Sequence, residues 1–398
     1  MKTNELDRGS RLLAWYDRHK RSLPFREKPV PYYIWISEIM LQQTRMETVI
    51  PYFNRFIQAL PEIRDLAEVT EEDLMKLWEG LGYYSRARNL KKAAEVIMAE
   101  YGGSLPERYE DLVCLPGIGP YTAGAIASIA FGEQVPAVDG NVIRVYSRLE
   151  AYAGEVMKAA GKRFIHDSVL KDLPGERPGD YNQAIMELGA TVCIPNSRPH
   201  CEKCPLKESC LAFQFGDPLA HPVLPLKKAR RVEEHTVLLL IRDDHYLIEK
   251  REDEGLLAGL NQFPMQAGTL DEEALGNWLK DLGIRDYSLK PGLWAKHVFS
   301  HVEWHMTSWI VWINPELSYQ VSEKAGQAEY RGEGRVRDQW SKDQRGDGLF
   351  KGIPGSDRMH WVPDDRLMRI AMPTAFRVFR EELADLLKEK PADENRYL

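Results

Sequence analysis

Two patterns divide the chain. Through its first two hundred residues the apolar positions recur at three- and four-residue spacing, and from Thr236 they gather into short strand-like runs bounded by polar turns. Leu6, Leu12, Leu13 and Tyr16 share one face and predict an amphipathic helix over 5–20. Tyr32 to Phe56 continues the helical pattern, with a break expected near Pro51, because proline lacks the N–H and crowds the preceding turn. Residues 71–100 predict a helical pair around Gly80-Leu81-Gly82-Tyr83-Tyr84-Ser85, and further helices are expected over 121–130 and 182–192. Leu211 to Arg231, with Pro218, Pro222 and Pro225, reads as a linker. Beyond it, Thr236–Ile241 and Tyr246–Ile248 predict a β-hairpin around Asp243-Asp244. Glu272–Leu282 predicts a helix, Trp294–Ile313 paired strands around a turn at 299–301, and Met368–Leu387 a closing helix. The expected organisation is an all-α domain over 1–228 and an α+β domain over 232–398. A polar stretch at 318–359 reads as an insertion.

At 398 residues there is chain enough for two or three cores, and 43% hydrophobic with 28% charged residues is ordinary for a globular protein. No apolar run approaches the roughly 18 residues a membrane helix needs, and the N-terminus is polar, so no membrane association and a cytoplasmic location are expected. Four of the five cysteines crowd into 193–210, which is not a spread disulfide framework. The net charge of −7 does not by itself suggest a nucleic-acid coat, but basic residues cluster at 18–21, at Arg86, Arg88, Lys91 and Lys92, and at 227–231.

The candidate chemistry centres on 115–141, LPGIGPYTAGAIASIAFGEQVPAVDGN. Gly117 and Gly119 allow a tight turn into a helix whose free N–H groups form a seat for phosphate, although such turns also occur for structural reasons alone. Asp139 follows about twenty residues later, in a polar turn where a low pKa is expected. Glu38 stands among Trp35, Ile36, Ile39, Met40 and Leu41. It is either an exposed residue on the polar face of its helix or a buried acid with a raised pKa, suited to proton donation near neutrality. Tyr83 and Tyr84 suit either a helix junction or a wedge between bases, with Arg86 and Arg88 as phosphate-holding cations. Cys114 reads as a small core residue. Cys193, Cys201, Cys204 and Cys210 have the composition of a metal site, with zinc and iron–sulfur both open.

LPGIGPYTA, VDGNV and the four cysteines together resemble the helix-hairpin-helix DNA glycosylases of the endonuclease III superfamily. SEIMLQQT, GLGYYSRARNL and VFSH narrow the resemblance to the MutY-type adenine glycosylases. It implies an all-α helix-hairpin-helix core with an iron–sulfur loop and a C-terminal α+β domain of Nudix-like fold. The implied partner is double-stranded DNA bearing adenine opposite 8-oxoguanine or guanine, acted on by a monomer. Glu38 is implied as catalytic acid and Asp139 as the carboxylate that stabilises the sugar cation, with Tyr121 and Asn141 orienting them. Arg26 and Glu187 are implied to line the adenine pocket, although a lone Glu on a helix is usually solvated. Gln43 and Tyr83 are implied to enter the base stack, Gly117 and Gly119 to seat phosphate, and Phe299, Ser300 and His301 to read 8-oxoguanine. Cys193, Cys201, Cys204 and Cys210 are implied ligands of a [4Fe–4S] cluster, with one residue more than usual in the first gap. Strand-cutting relatives carry lysine where Tyr121 stands, so base removal without efficient strand cleavage is expected. A pyrimidine glycosylase/lyase and a non-catalytic lesion binder are the competing readings. The helix at 272–282 lacks the carboxylate array of Nudix hydrolases, and no phosphohydrolase activity is expected from it.

Overall fold

A computed structural model describes residues 7–27, 29–225, 229–314 and 358–388. The chain divides into two compact units, Met1–Lys227 and Lys228–Leu398. Among the expected features, Leu6, Lys227, Lys228 and the polar stretch 318–357 lie outside the described residues. No helix of the described residues is long and apolar enough to cross a membrane.

The first unit is helical. Asp7 caps Arg8–His19 by accepting from the Ser10 N–H, and Leu12, Trp15 and Tyr16 are the buried face. They pack with Val145 and Tyr146 of the helix Gly140–Leu149 and with Tyr181, Ile185 and Leu188 of Pro178–Thr191. The helix Pro31–Leu41 is buried almost all round, from Tyr32 to Met40. The expected break at Pro51 is misplaced. Pro51 lies inside the continuous helix Met46–Ala59, and the chain breaks instead at Gln42–Arg45, where Gln43 takes a left-handed φ of +56°.

Arg86 explains where the break falls. Its Nη1 donates to the carbonyls of Ile39 (2.8 Å), Met40 (3.1 Å) and Gln42 (2.7 Å). Its Nη2 donates to the carbonyls of Leu81 and Gly82 and to Thr44 Oγ1. A helix end leaves its last carbonyls without N–H partners, and this guanidinium supplies them. Arg86 is therefore buried, packed over the Trp78 and Tyr83 rings, and is not one of the phosphate-holding cations expected from its sequence context. Arg88 is paired with Glu71.

The hairpin follows as expected. The short helix Tyr109–Leu112 leads into a turn in which Gly117 has φ +75°, and Pro120–Phe131 starts directly after Gly119 as its N-cap. Cys114, expected in the core, is exposed, its thiol donating to the Glu110 carbonyl at the end of that short helix. Leu211–Gln214 is a helical turn, and Val223 bridges to Glu155, so the proline-rich segment up to 223 packs on the first unit.

Among its described residues the second unit contains a seven-stranded mixed sheet: β1 Arg231–Arg242, β2 His245–Lys250, β3 Asn261–Gln262, β4 Met265–Ala267, β5 Tyr287–Val298, β6 Val302–Ile313 and β7 Met359–Pro363. The order is β3-β2-β1-β6-β5, with β4 on β1 and β7 on β2. β1 and β6 run parallel from Arg231↔Val302 to Ile241↔Trp312, and the other pairs are antiparallel. Both faces of β1 are covered. Val237, Leu239 and Ile241 pack with Trp304, Phe376 and Phe379, while Leu238 and Leu240 pack under Leu275 and Leu279 of the helix Glu272–Asp281. Two-sided burial is why 237–241 reads as an unbroken apolar run rather than a clean alternation.

Arg86→Met keeps apolar bulk but removes a donor from five carbonyls and one hydroxyl, of which Gln42 keeps the Thr44 hydroxyl and Gly82 the Trp78 indole N–H. The first unit of the full chain is expected to lose at least about 3 kcal/mol of stability in urea denaturation followed by circular dichroism.

Candidate active site

A cavity of about 340 Å³ opens in the first unit, lined by Arg26, Glu38, Tyr121, Asp139, Asn141 and Glu187 among others. These six side chains come from five separate elements, so the sequence spacing of 26, 38, 121, 139–141 and 187 converges only through the helical packing described above.

Glu38 is 8% exposed on the buried helix Pro31–Leu41. The hydroxyl of Tyr121, the second residue of the hairpin helix, donates to its Oε2 at 2.5 Å. Burial pushes the Glu38 carboxyl up to about 7. The Tyr121 hydrogen bond opposes the rise, the Asp139 charge adds to it, and Arg26 opposes it. The alternative of a solvent-exposed Glu38 is thereby removed.

Asp139 is the N-cap of Gly140–Leu149. Its Oδ1 accepts the Val142 N–H at 2.8 Å and its Oδ2 accepts Asn141 Nδ2 at 2.7 Å. Arg144 Nη2 in turn donates to Asn141 Oδ1 at 2.8 Å, and its Nε to the Cys193 carbonyl. The low pKa expected for Asp139 is not what this setting produces. Burial is the largest influence and pushes the carboxyl up, against the opposing donors at Val142 and Asn141 and the charge of Arg144. Asn141 fits because Gly189 faces it: a Cβ at 189 would stand 2.6 Å from the Asn141 Cβ.

Glu187 is 1% exposed and not solvated. Arg26 Nη2 reaches its Oε2 at 3.0 Å and Arg21 Nε its Oε1 at 2.5 Å. Arg21, Arg144 and Gln183 also belong to this neighbourhood and went unassigned from sequence. Arg144 had a faint signal, three residues past Asn141 and so on the same helix face; Arg21 had only its place in a basic run.

The four clustered cysteines line a second, small cavity with Val145, Arg148, Leu188 and Phe213. The seven-residue first gap contains Asn196 in a left-handed conformation (φ +59°) and closes by the His200 N–H onto the Val192 carbonyl, and all four cysteines line the one cavity. Burial, helped by charge on Cys193, Cys210 and Cys201 and opposed by the Leu206 N–H, pushes the Cys204 thiol up to about 12. Thiols gathered this closely repel one another as thiolates, and a metal group removes that repulsion by binding them. The donor set fits a four-thiolate metal group. Lys207 packs over Phe213, and Arg198, His200 and Lys203 are exposed on the same loop.

Residues 36–164 match the HhH-GPD superfamily base excision DNA repair protein family, and residues 236–382 match the NUDIX domain family. An adenine DNA glycosylase of Buchnera aphidicola is 33% identical over 307 residues, covering 77% of this chain and 85% of that protein. The chain belongs to the MutY-type adenine DNA glycosylases of the HhH-GPD superfamily. The rat adenine DNA glycosylase is 46% identical over 212 residues, 51% of this chain and 41% of that protein, so this chain spans well under two thirds of its mammalian relatives' length. A solved thermostable thymine-DNA glycosylase aligns with 52% of this chain and 95% of its own, at 28% identity and a TM-score of 0.47.

Other positions implied by membership of the MutY type lie apart from the cavity. Gln43 and Tyr83 are exposed residues, each at a left-handed backbone position (φ +56° and +50°), whereas Tyr84 is buried. The two aromatics thus divide between a surface role and a packed junction. In the second unit, Phe299 is half-buried against Trp304 (4.8 Å between ring centres) and His297 (4.6 Å), and Ser300 and His301 are exposed. Arg230 Nε donates to the Phe299 carbonyl, the Arg231 N–H to that of His301, and the Phe299 N–H to that of Val302. The start of β1 thus braces this turn.

The Glu38 carboxyl, at about 4.5 when unfolded and about 7 when folded, takes up a proton on folding between those values. Its favourable contribution is complete below 4.5 and is lost as pH rises through 7. Glu38→Gln, which never ionises, is expected to match wild-type stability near pH 4.5 and to exceed it by roughly 1–3 kcal/mol at about pH 8, read from urea denaturation across the range.

Proposed function

We propose that this protein removes adenine mispaired with 8-oxoguanine or guanine in double-stranded DNA by hydrolysing the N-glycosidic bond, acting as a monomer in base excision repair. The observation that carries the reading is a buried carboxyl group, titrating near neutrality, that shares a cavity with a second carboxyl group held by fixed donors. Glycosidic cleavage through an oxocarbenium-like sugar calls for this pairing of acid and carboxylate, and a flipped base calls for a cavity to receive it.

Tyr121 donates to Oε2 of Glu38, which leaves Oε1 for the proton. From there the acid protonates adenine N7, so that the base departs neutral, and afterwards the carboxylate helps a water attack the sugar. Asp139 acts ionised and stabilises the cationic sugar. Both its oxygens are already engaged by Val142 and Asn141, so its orientation does not depend on the substrate. Arg26, held by Glu187, presents its guanidinium to the base. Tyr121 stands where strand-cutting relatives carry lysine. With no amine there to attack C1′, the product is an abasic site in an uncut strand.

Gln43 and Tyr83 enter the stack beside the extruded base, the turn at Gly117 and Gly119 takes a phosphate, and Phe299, Ser300 and His301 read 8-oxoguanine. Cys193, Cys201, Cys204 and Cys210 hold a [4Fe–4S] cluster, which when bound supplies the cross-link that folds the loop 193–210. None of the glycosidic steps draws on it.

The test is single-turnover base release from a duplex with adenine opposite 8-oxoguanine, with and without later alkali. Adenine release with breaks appearing chiefly after alkali is expected. Equal breaks without alkali would restore the lyase reading, and tight binding without release would make the protein a lesion sensor. Glu38→Gln and Asp139→Asn should each lose roughly a thousandfold or more in release rate while still binding the duplex. The wild-type rate should fall as pH rises through about 7, where Glu38 loses its proton, and fall again in acid as Asp139 gains one.

A further inference from the structure

Arg148 lies in the helix Gly140–Leu149 and is 3% exposed. Its Nη1 donates to Cys193 Sγ at 3.1 Å and to the carbonyls of Cys193 and Ile194, and its Nε donates to the His221 carbonyl. The Cys210 thiol donates back to the Arg148 carbonyl. Among the described residues no carboxylate stands within ion-pairing distance of this guanidinium. The other buried arginine of the unit, Arg86, has five carbonyls and two ring faces to receive its charge. Among the described residues Arg148 has three carbonyls, no ring, and one sulfur.

A buried cation is costly unless an anion or a full set of acceptors answers it. Apart from Lys207, whose ammonium packs over the Phe213 ring, the rest of the cavity that Arg148 lines with the four cysteines is apolar, so a charge there is weakly screened. A metal group held by four thiolates carries net negative charge, and it would place that charge directly beside the guanidinium. A reduced cluster carries one electron more than an oxidised one, so an adjacent cation favours reduction.

We propose that Arg148 is the counter-charge of the four-cysteine site: it retains the thiolate-bound group and raises the potential at which that group accepts an electron. This rests on the reading of Cys193, Cys201, Cys204 and Cys210 as ligands, and it makes Arg148 a positioning residue without contact to DNA or base.

Full-length wild type, Arg148→Lys and Arg148→Gln are purified and assayed for iron, sulfide and zinc. Decay of the visible absorption is followed under excess chelator, and midpoint potentials are measured without DNA. Lys keeps the charge, whereas Gln keeps a donor for the carbonyls and loses the charge. Arg148→Lys is expected to follow wild type. Arg148→Gln is expected to lose its metal group roughly tenfold faster and to show a lower potential. Gln equal to wild type in both measurements, or Lys as deficient as Gln, would overturn the proposal. If Arg148→Gln fails to fold by circular dichroism, the Lys potential decides: unchanged supports the counter-charge, lowered refutes it. Wild type carrying zinc without iron or sulfide would end the cluster reading, and the order of zinc release would then decide Arg148. Wild type free of any metal would refute both.

Discussion

Removing Glu38 from water sets the terms for the rest of the first unit. A carboxylate loses far more on burial than a carboxylic acid does, so the group keeps its proton to a pH where an exposed glutamate would long have released it. To bring an acid to that depth, the helix Pro31–Leu41 is buried on nearly every side, with Tyr32, Ile34, Trp35, Ile36, Ile39 and Met40 around it. The same apolar packing drives the helix into the interior and perturbs its one carboxyl group. Tyr121 moderates the shift with a single donated hydrogen bond. Stability is given up here for a proton held in readiness, a common trade at functional sites.

Around that acid the unit disposes of several other buried charges, each in a different way. Glu187 is answered by two arginines. Asp139 is answered by the N–H groups at a helix start and by an asparagine amide. Arg86 is answered by the carbonyls of one helix end, at Ile39 and Met40, and of the loop at Leu81 and Gly82. Arginine recurs in these roles because its planar fork makes several directed bonds from one side chain and remains charged when buried. Such groups hold neighbouring segments at fixed angles, which apolar contacts alone would leave adjustable.

The parts legible in the sequence were those governed by local spacing. The amphipathic face of Arg8–His19, the hairpin at Gly117–Gly119, the β1–β2 turn at Asp243-Asp244 and the turn at 299–301 are all encoded within about twenty residues. What local spacing missed depends on contacts across the chain. Pro51 looked like a breaker, but its helix continues, and the real break is held open by an arginine some forty residues away. The parallel pairing of β1 with β6 joins strands about seventy residues apart, with no local trace. Cys114 looked like core and is exposed. Asp139 looked like a polar turn and is a buried cap. Positions 38, 121 and 139 stand in long motifs, while 26 and 187 follow only from the family resemblance; spacing does not place any of them in one cavity, because burial and distance are properties of the packing.

Arg86 also has a mechanical meaning. One guanidinium grips the carbonyl of Gln42 and that of Gly82, the residues immediately before Gln43 and Tyr83. The two exposed side chains therefore sit on loops locked to a common rigid anchor, each already in the left-handed backbone geometry that most residues resist. An edge of this kind is assembled when the chain folds. On the proposed function, less conformational freedom would then be surrendered on meeting a duplex, and more of the binding energy would be left to separate one base from its neighbours.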